Sequence, residues 1–307
     1  MFLVVGSTGR LGVEICRILA LKGIPIRALV RPTSDLKKIE QLINYGSQIV
    51  LGDLRNSLSL AEACQGMDGV ICSASALNSY IPSENDFLSV DLEGILSLVE
   101  RAKEASVPHF IFVSLSSNID LESPLSVAKH VVEKHLQESG MVYTIIRPAF
   151  FMETWFSLTV GFDPFEGRAV IYGDGDHPIR WISLKDVARC AVNSLSNPIA
   201  YDAILELCGP QALGQLQVIR VFEEVFQQPF EITAIPENIL YKRLTHEMNP
   251  LEQSWLSLFL CCAHGDRAYL QRSSNNILNQ LMTVEDYAKS SPGYAHFVNL
   301  PVKIRWS

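Results

Sequence analysis

Val4-Val5-Gly6-Ser7-Thr8-Gly9-Arg10-Leu11-Gly12 stands almost at the start of the chain. An apolar run, Phe2-Leu3-Val4-Val5, precedes it, and an amphipathic stretch with helical spacing follows at once. A strand that turns directly into a helix needs glycine at three places here. Gly6 permits the sharp turn, Gly9 lets backbone approach a pyrophosphate, and Gly12 lets helix and strand pack closely. The helix N-terminus then offers free N–H groups and a positive dipole end to phosphate. The segment reads as a dinucleotide-binding turn, with Gly6, Thr8, Gly9, Arg10, Leu11 and Gly12 as the cofactor contacts. A tight structural turn is the bland alternative.

The chain beyond the turn agrees with this reading. Short apolar runs at 2–5, 25–30, 48–51, 69–73, 109–114 and 142–147 alternate with amphipathic stretches at 11–22, 37–45, 57–63, 87–105 and 124–139. That alternation is the mark of βαβ units and a parallel sheet. Buried parallel strands read as unbroken apolar runs, as Phe110-Ile111-Phe112-Val113 does. After Pro148 the regularity fades. A helix is expected at 186–195, a strand at 203–208, and further helices at 213–226, 237–245, 250–262 and 283–290. The expected fold class is α/β, a Rossmann-type doubly wound parallel sheet with a smaller, irregular C-terminal substrate lobe. Residues 1–150 form the dinucleotide-binding domain, and 151–307 the lobe, partly returning to the main sheet.

The glycine spacing is G-x-x-G-x-x-G, as in short-chain dehydrogenases. Roughly 20 residues beyond the last glycine, an NAD-preferring protein places an acidic residue against the ribose 2′-hydroxyl. This chain has Arg31 there. A guanidinium pairs bidentately with a 2′-phosphate that a carboxylate would repel. Arg10 could approach the same phosphate, and NADP(H) is the expected cofactor. The alternative is that both arginines are solvated surface groups.

Composition narrows the function classes. With 48% hydrophobic and 19% charged residues among 307, the chain has ample core material and no signature of disorder. A net charge of −8 argues against nucleic-acid binding. Cys16, Cys64, Cys72, Cys190, Cys208, Cys261 and Cys262 form no C-x-x-C pair and read as buried free thiols of a reducing compartment. The adjacent Cys261 and Cys262 could sense redox state but fit an apolar helix better. The seven histidines show no ligand spacing, so no metal is expected. Met1 leads straight into the first strand, so no signal peptide is expected, and no stretch is long enough for a membrane span. The expected location is the cytoplasm, or an organelle interior if a transit peptide has been removed.

Several blocks in order along residues 1 to 195 resemble the NmrA-like, atypical short-chain dehydrogenases, which include isoflavone-reductase-like and quinone-oxidoreductase-like proteins. Besides the glycine turn they are Leu29-Val30-Arg31-Pro32, Val50-Leu51-Gly52-Asp53-Leu54 and Val90-Asp91-Leu92-Glu93-Gly94. Later blocks are Val107-Pro108-His109-Phe110-Ile111-Phe112-Val113-Ser114, Ala128-Lys129, Glu133-Lys134 and Tyr143-Thr144-Ile145-Ile146-Arg147-Pro148. Phe150-Phe151-Met152-Glu153, Trp181 and Asp186-Val187-Ala188 continue the run more weakly. The resemblance implies that Asp53, with Leu54, faces the adenine, unless Asp53 is only a strand-end turn residue. It implies that Ser73 and Ala74 lie along the nicotinamide ribose and that Ser114 holds the catalytic serine position. Lys129 matches the family lysine that bonds the nicotinamide ribose and, in some reductases, assists proton transfer; its alternative is a solvated helix lysine.

The chain departs from the family in one respect. Short-chain dehydrogenases use Tyr-x-x-x-Lys, and the residue four before Lys129 is Leu125. Without an ionisable phenol, carbonyl–alcohol interconversion is disfavoured. Two function classes remain. One is reduction of a small, flat, apolar acceptor of quinone or enone type, with Lys129 and Ser114 as catalytic residues and with Phe150, Met152 and Trp155 as an apolar substrate wall, although a stripe of this kind is more often core. The other is a non-catalytic NADP(H)-sensing regulator or assembly factor. NmrA-like proteins include both, among them assembly factors for photosynthetic complexes. A protein partner is possible, and the sequence leaves the oligomeric state open.

Overall fold

The computed structural model describes residues 1–77, 87–119, 121–265, 277–278 and 280–290. β1 (Phe2–Val5) passes through the glycine turn into α1 (Arg10–Leu21), then β2 (Ile26–Val30), α2 (Leu36–Asn44), β3 (Gln48–Leu51), α3 (Ser57–Cys64) and β4 (Gly69–Cys72). A π-helical turn, Phe87–Leu92, leads into α4 (Glu93–Glu104), followed by β5 (His109–Val113), α5 (Pro124–Glu138) and β6 (Val142–Pro148). The second half holds α6 (Met152–Trp155), β7 (Phe162–Asp163), β8 (Arg168–Tyr172), α7 (Leu184–Ser194) and β9 (Ala203–Leu207). It ends with α8 (Gln215–Phe226), β10 (Glu231–Ile235), α9 (Glu237–His246), α10 (Pro250–His264) and α11 (Val284–Ser290).

Seven strands form one parallel sheet in the order β3-β2-β1-β4-β5-β6-β9. Strand order reverses between β1 and β4, the switch point beside which such sheets bind ligands at their C-terminal edge. The expected Rossmann-type doubly wound sheet is therefore present. β4 and β5 are buried along their whole length, as their unbroken apolar runs require. In α1 the buried positions Gly12, Ile15, Cys16 and Leu19 recur at helical spacing and turn one face to the sheet. α1, α2 and α7 cover one side, while α3, α4 and α5 cover the other.

The second half divides between two bodies. β9 pairs with β6 in the main sheet, and α7 packs against α1. The remaining elements form a lobe around Trp155, Tyr172, Trp181, Phe222 and Phe259. A three-stranded sheet, β10-β8-β7, lies in this lobe and was not among the expected elements. β7 has only two residues, and β10 reads Glu-Ile-Thr-Ala-Ile, exposed at four of five positions, so neither stands out as a strand by its apolar pattern. The helix expected at 87–105 begins instead as the π-helical turn. Gly94 allows this turn to approach Leu54: a Cβ at Gly94 would sit 2.8 Å from Leu54 Cβ and from the Ser89 carbonyl.

All seven cysteines are free, and only Cys208 is partly exposed. Burial pushes the Cys16, Cys64 and Cys190 thiols up to about 12, and that of Cys72 to about 11. Such thiols are poor nucleophiles. Cys261 and Cys262 lie in the lobe's core and behave as small apolar residues. Among the described residues no helix is long and apolar enough to cross a membrane.

His109, at the start of β5, is buried with Nε2 2.9 Å from Thr144 Oγ1 and its ring edge-on to Tyr201. Burial holds its pKa below the ordinary histidine value, with Asp202 opposing weakly. Below about pH 6.5 the unfolded chain therefore binds a proton that the folded chain resists, and stability falls as the pH drops through the folded-state value. The slope cannot exceed about 1.4 kcal/mol per pH unit for one proton. Melting followed from pH 7.5 to 5.0 is expected to show this loss in the wild type and a smaller one in His109→Phe. Equal slopes would remove His109 as the cause.

Candidate functional site

Because the strands of the main sheet are parallel, residues that follow them collect at one edge. Gly6 after β1, Arg31 after β2, Asp53 after β3, Ser73 after β4 and Ser114 after β5 all stand there. The glycine turn is as tight as its spacing implies. Gly6 has φ +79°, and a Cβ on it would lie 2.8 Å from the Ala74 nitrogen. The Gly9 N–H donates to the Gly6 carbonyl at 2.9 Å. A Cβ on Gly12 would fall 2.1 Å from the Gly6 carbonyl oxygen, so only hydrogen fits. The N-cap residue of α1 is Gly9, which has no side chain to cap the helix. Thr8 and Leu11 are partly exposed on the same turn. Ser7, which the glycine motif passes over, is fully buried and donates from Oγ to the Leu29 carbonyl at 2.6 Å, tying the turn to β2.

Toward β2 and β3, Arg31 is exposed at the strand end. Asp53 accepts from the Arg55 backbone N–H at 2.9 Å and from its guanidinium at 2.9 and 2.7 Å. The Arg55 guanidinium holds the Asp53 carboxyl below its usual range, with a small further pull from Arg31. Asp53 thus acts at least as the strand-end turn residue. Leu54 is 8% exposed and packs in the core under Gly94.

Arg10 requires a correction. Its guanidinium donates to the Glu153 carbonyl at 2.6 Å and to Thr154 Oγ1 at 3.3 Å, both in the segment after β6. β6 and β2 lie on opposite sides of β1 in the sheet. In this structure the Arg10 side chain is thus held toward the segment after β6. Glu153 is itself a buried group that the sequence reading overlooked. It accepts from Ser183 Oγ and the Leu184 N–H, both at 2.9 Å, and so braces the start of α7. Burial raises its carboxyl above the usual range, with these hydrogen bonds and Arg10 opposing.

Toward β4 and β5 the structure settles the placement of Lys129. Ser123 caps α5 in a capping box with Ser126, and Lys129 falls on the buried face with Leu125, Val132 and Leu136. Its side chain is 5% exposed, which rules out a solvated lysine. Nζ lies 3.2 Å from Asp91 Oδ1, donates to the Ala74 carbonyl at 3.2 Å and sits 5.0 Å above the Phe112 ring. Ser73 donates to the Val5 carbonyl at 3.3 Å. Ser114 is buried, and its Oγ finds no partner among the described residues. Leu125 is buried in the sheet's core, and its N–H donates to Ser254 Oγ of α10 at 3.2 Å. At the sequence position of the family tyrosine, Leu125 carries no ionisable group.

Phe150, Met152 and Trp155 are 4%, 1% and 6% exposed and belong to the lobe's core. Phe150 and Trp155 meet edge to face at 5.0 Å, and Trp155 meets Phe259 at 5.8 Å. The void beside Trp155 measures about 20 Å³, room for about one water. These residues can back a substrate cleft from beneath; in this structure they do not form an open wall. Among the described residues, no group of three or more His, Cys, Asp or Glu side chains could hold a metal.

Two more residues escaped the sequence reading. Asp91 is 0% exposed and faces Lys129. It lies in one of the blocks that resemble the family and is the single acid of Phe87-Leu88-Ser89-Val90-Asp91-Leu92, but neither signal gave it a role. Glu206 of β9 accepts from Ser116 Oγ at 2.9 Å and the Ser117 N–H at 3.1 Å, and Arg147 bridges it to Glu133. This network ties the loop after Ser114 to β6, β9 and α5.

Comparison with known proteins follows this geometry. The chain matches the NmrA-like family across residues 1–288. It is 30% identical to the NAD(P)H azoreductase of Xenophilus azovorans, over 76% of this chain and 77% of that one. It is 28% identical to the photosystem II assembly factor Ycf39 of Trieres chinensis, over 76% and 72% of the two chains. Its fold superposes on the NADPH complex of the NADPH-dependent quinone oxidoreductase QOR2 of Escherichia coli with a TM-score of 0.77. That match has 18% identity and covers 95% of this chain and 99% of the other.

Proposed function

Because the chain belongs to the NmrA-like family, we propose that it is an NADP(H)-dependent oxidoreductase acting on a small, flat, apolar acceptor such as a quinone, an enone or an azo compound. The observation that carries this reading is Lys129, buried at the sheet's C-terminal edge beside the Ala74 loop that touches the glycine turn. The glycine turn fits a pyrophosphate, since Gly6, Gly9 and Gly12 leave no Cβ in the cradle and the N-cap residue Gly9 has no side chain to cap α1. Arg31 would take the 2′-phosphate, and Lys129 would donate to the nicotinamide-ribose hydroxyls. NADPH, when bound, supplies a hydride. Ser114 Oγ, without a protein partner among the described residues, can donate to an acceptor oxygen or nitrogen. Leu125 supplies no proton, so the acceptor must stabilise the charge left by hydride addition until water protonates it. Quinones, enones and azo groups meet that condition better than isolated ketones. Phe150, Met152 and Trp155 would back the acceptor site from below. A relative reduces azo compounds by name, which agrees with this acceptor class. The cytoplasm or an organelle interior suits both the buried thiols and the cofactor.

A second reading has its own support. Leu125 is closed into the core, and several relatives are photosystem II assembly factors. On that reading the bound dinucleotide reports redox state to a protein partner. Purified protein with NADPH and a panel of quinones, enones and azo dyes, followed at the nicotinamide absorbance, separates the two. Turnover is expected, and Lys129→Met is expected to raise the KM for NADPH about tenfold, the worth of one charge-assisted hydrogen bond. The exposed Lys134→Met should match the wild type. Absence of turnover with every acceptor, while NADPH still binds, would favour the assembly role.

A further inference from the structure

We infer that Asp91 is the positioning residue of the nicotinamide end: one carboxylate fixes both the Lys129 ammonium and the loop that the cofactor's second ribose would lie against. The inference rests on the proposed binding of NADP(H) at this edge. A carboxylate with no exposure costs several kcal/mol unless it is paired and hydrogen-bonded. Asp91 meets that cost with two different partners. Oδ2 accepts from the Ala76 N–H at 2.7 Å, and Oδ1 lies 3.2 Å from Lys129 Nζ. The Oδ1 contact is an ion pair, and the ammonium carries three donors. One of them goes to the Ala74 carbonyl. The three groups close a small ring in which Asp91 grips residue 76, Lys129 grips residue 74, and the two grip each other.

That ring sits against the cofactor turn. A Cβ on Gly6 would lie 2.8 Å from the Ala74 nitrogen, so the 74–76 loop and the glycine turn are in direct contact. Asp91 reaches this place from the π-helical turn before α4, where its carboxylate faces α5 and the loop after β4. Single π-type turns recur at functional sites. The Phe112 ring lies 5.0 Å from Nζ on a further side. Lys129 is thereby held with little freedom, and a preorganised donor binds its ligand without the cost of ordering a flexible chain.

The test separates this role from general support of the fold by using two ligands. NADPH has a nicotinamide ribose, whereas adenosine 2′,5′-bisphosphate has only the adenine end. Asp91→Asn keeps the size of the side chain and an acceptor for Ala76 but removes the charge facing Lys129. It is expected to weaken NADPH about tenfold while leaving the bisphosphate within twofold of the wild type. In the Lys129→Met background, Asp91→Asn should add nothing to the loss. Asp91→Glu, which keeps a charge in the site, should lose less NADPH affinity than Asp91→Asn, and it carries the comparison if the asparagine variant does not fold. Equal loss of both ligands would make Asp91 a structural residue and overturn the inference, as would unchanged binding of both. Wild-type protein that binds neither ligand would overturn the cofactor reading, and this inference with it.

Discussion

Gly12→Ala is expected to lower the melting temperature by roughly 5 °C or more and to abolish measurable dinucleotide binding. The added Cβ would stand 2.1 Å from the Gly6 carbonyl oxygen and 2.8 Å from Ser7 Cα, and both are backbone atoms. Neither can rotate away, so α1 must move off β1. That shift also loosens α1 from α7, because the two helices pack together on one side of the sheet. Overpacking of this kind costs about 3 kcal/mol, at the upper end of the ordinary range. Gly9→Ala is the informative control. Its Cβ would meet only the Gly6 carbonyl, at 3.2 Å, so the fold should survive with a small loss of stability. The methyl would nevertheless enter the space assigned to the pyrophosphate, and NADPH binding should fall with the melting temperature nearly unchanged. Melting curves and NADPH fluorescence titrations of the two variants check both outcomes. A Gly12→Ala protein that melts like the wild type would mean that the close contact of helix and strand does not hold.

Arg31→Ala is expected to weaken NADPH roughly ten- to a hundred-fold and to leave NADH unchanged. Loss of a charge-assisted contact to the 2′-phosphate accounts for about 1.5–3 kcal/mol. The structure sharpens the expectation. Arg10 is engaged at Glu153 and Thr154 on the β6 side. Asp53 and Arg55 pair with each other at the neighbouring strand end, so the proposed 2′-phosphate contact is tested at Arg31. Because the arginine side chain is exposed, the preference for NADPH should weaken as salt is raised. Calorimetry with both cofactors, at low and moderate salt, measures it. Equal wild-type affinity for NADPH and NADH would remove Arg31 from the site.

Much of the sheet was legible because its determinants are local. Strand lengths, the helices between strands and the return at β9 follow from apolar runs and their spacing. The π-helical start of α4 was not legible, since nothing in Phe87-Leu88-Ser89-Val90-Asp91-Leu92 distinguishes it from an ordinary helix turn. The three-stranded sheet of the lobe was missed for a related reason: β10 turns most of its residues to solvent and carries no buried stripe. The aromatic residues after β6 read either as core or as a cleft wall, and in this structure they are core. Burial of Phe150, Met152 and Trp155 depends on α10 and β8 folding over them, and these come later in the chain.

By itself, the sequence determined the glycine turn, because the crowding of Gly9 and Gly12 against Gly6 is settled within a few residues of backbone. It also determined what the site lacks, since Leu125 cannot ionise in any fold. The tertiary structure alone decided where the charges point. A lysine or arginine side chain is long and has many rotamers, and its partner is whichever distant group the packing brings within reach. So Lys129 found Asp91 rather than solvent, Arg10 turned to Glu153 rather than to Arg31, and Glu153 came to brace α7. The crowding of Gly12 against Gly6 acts between near neighbours in the chain, whereas charge pairing inside a core acts between segments that only the completed fold brings together.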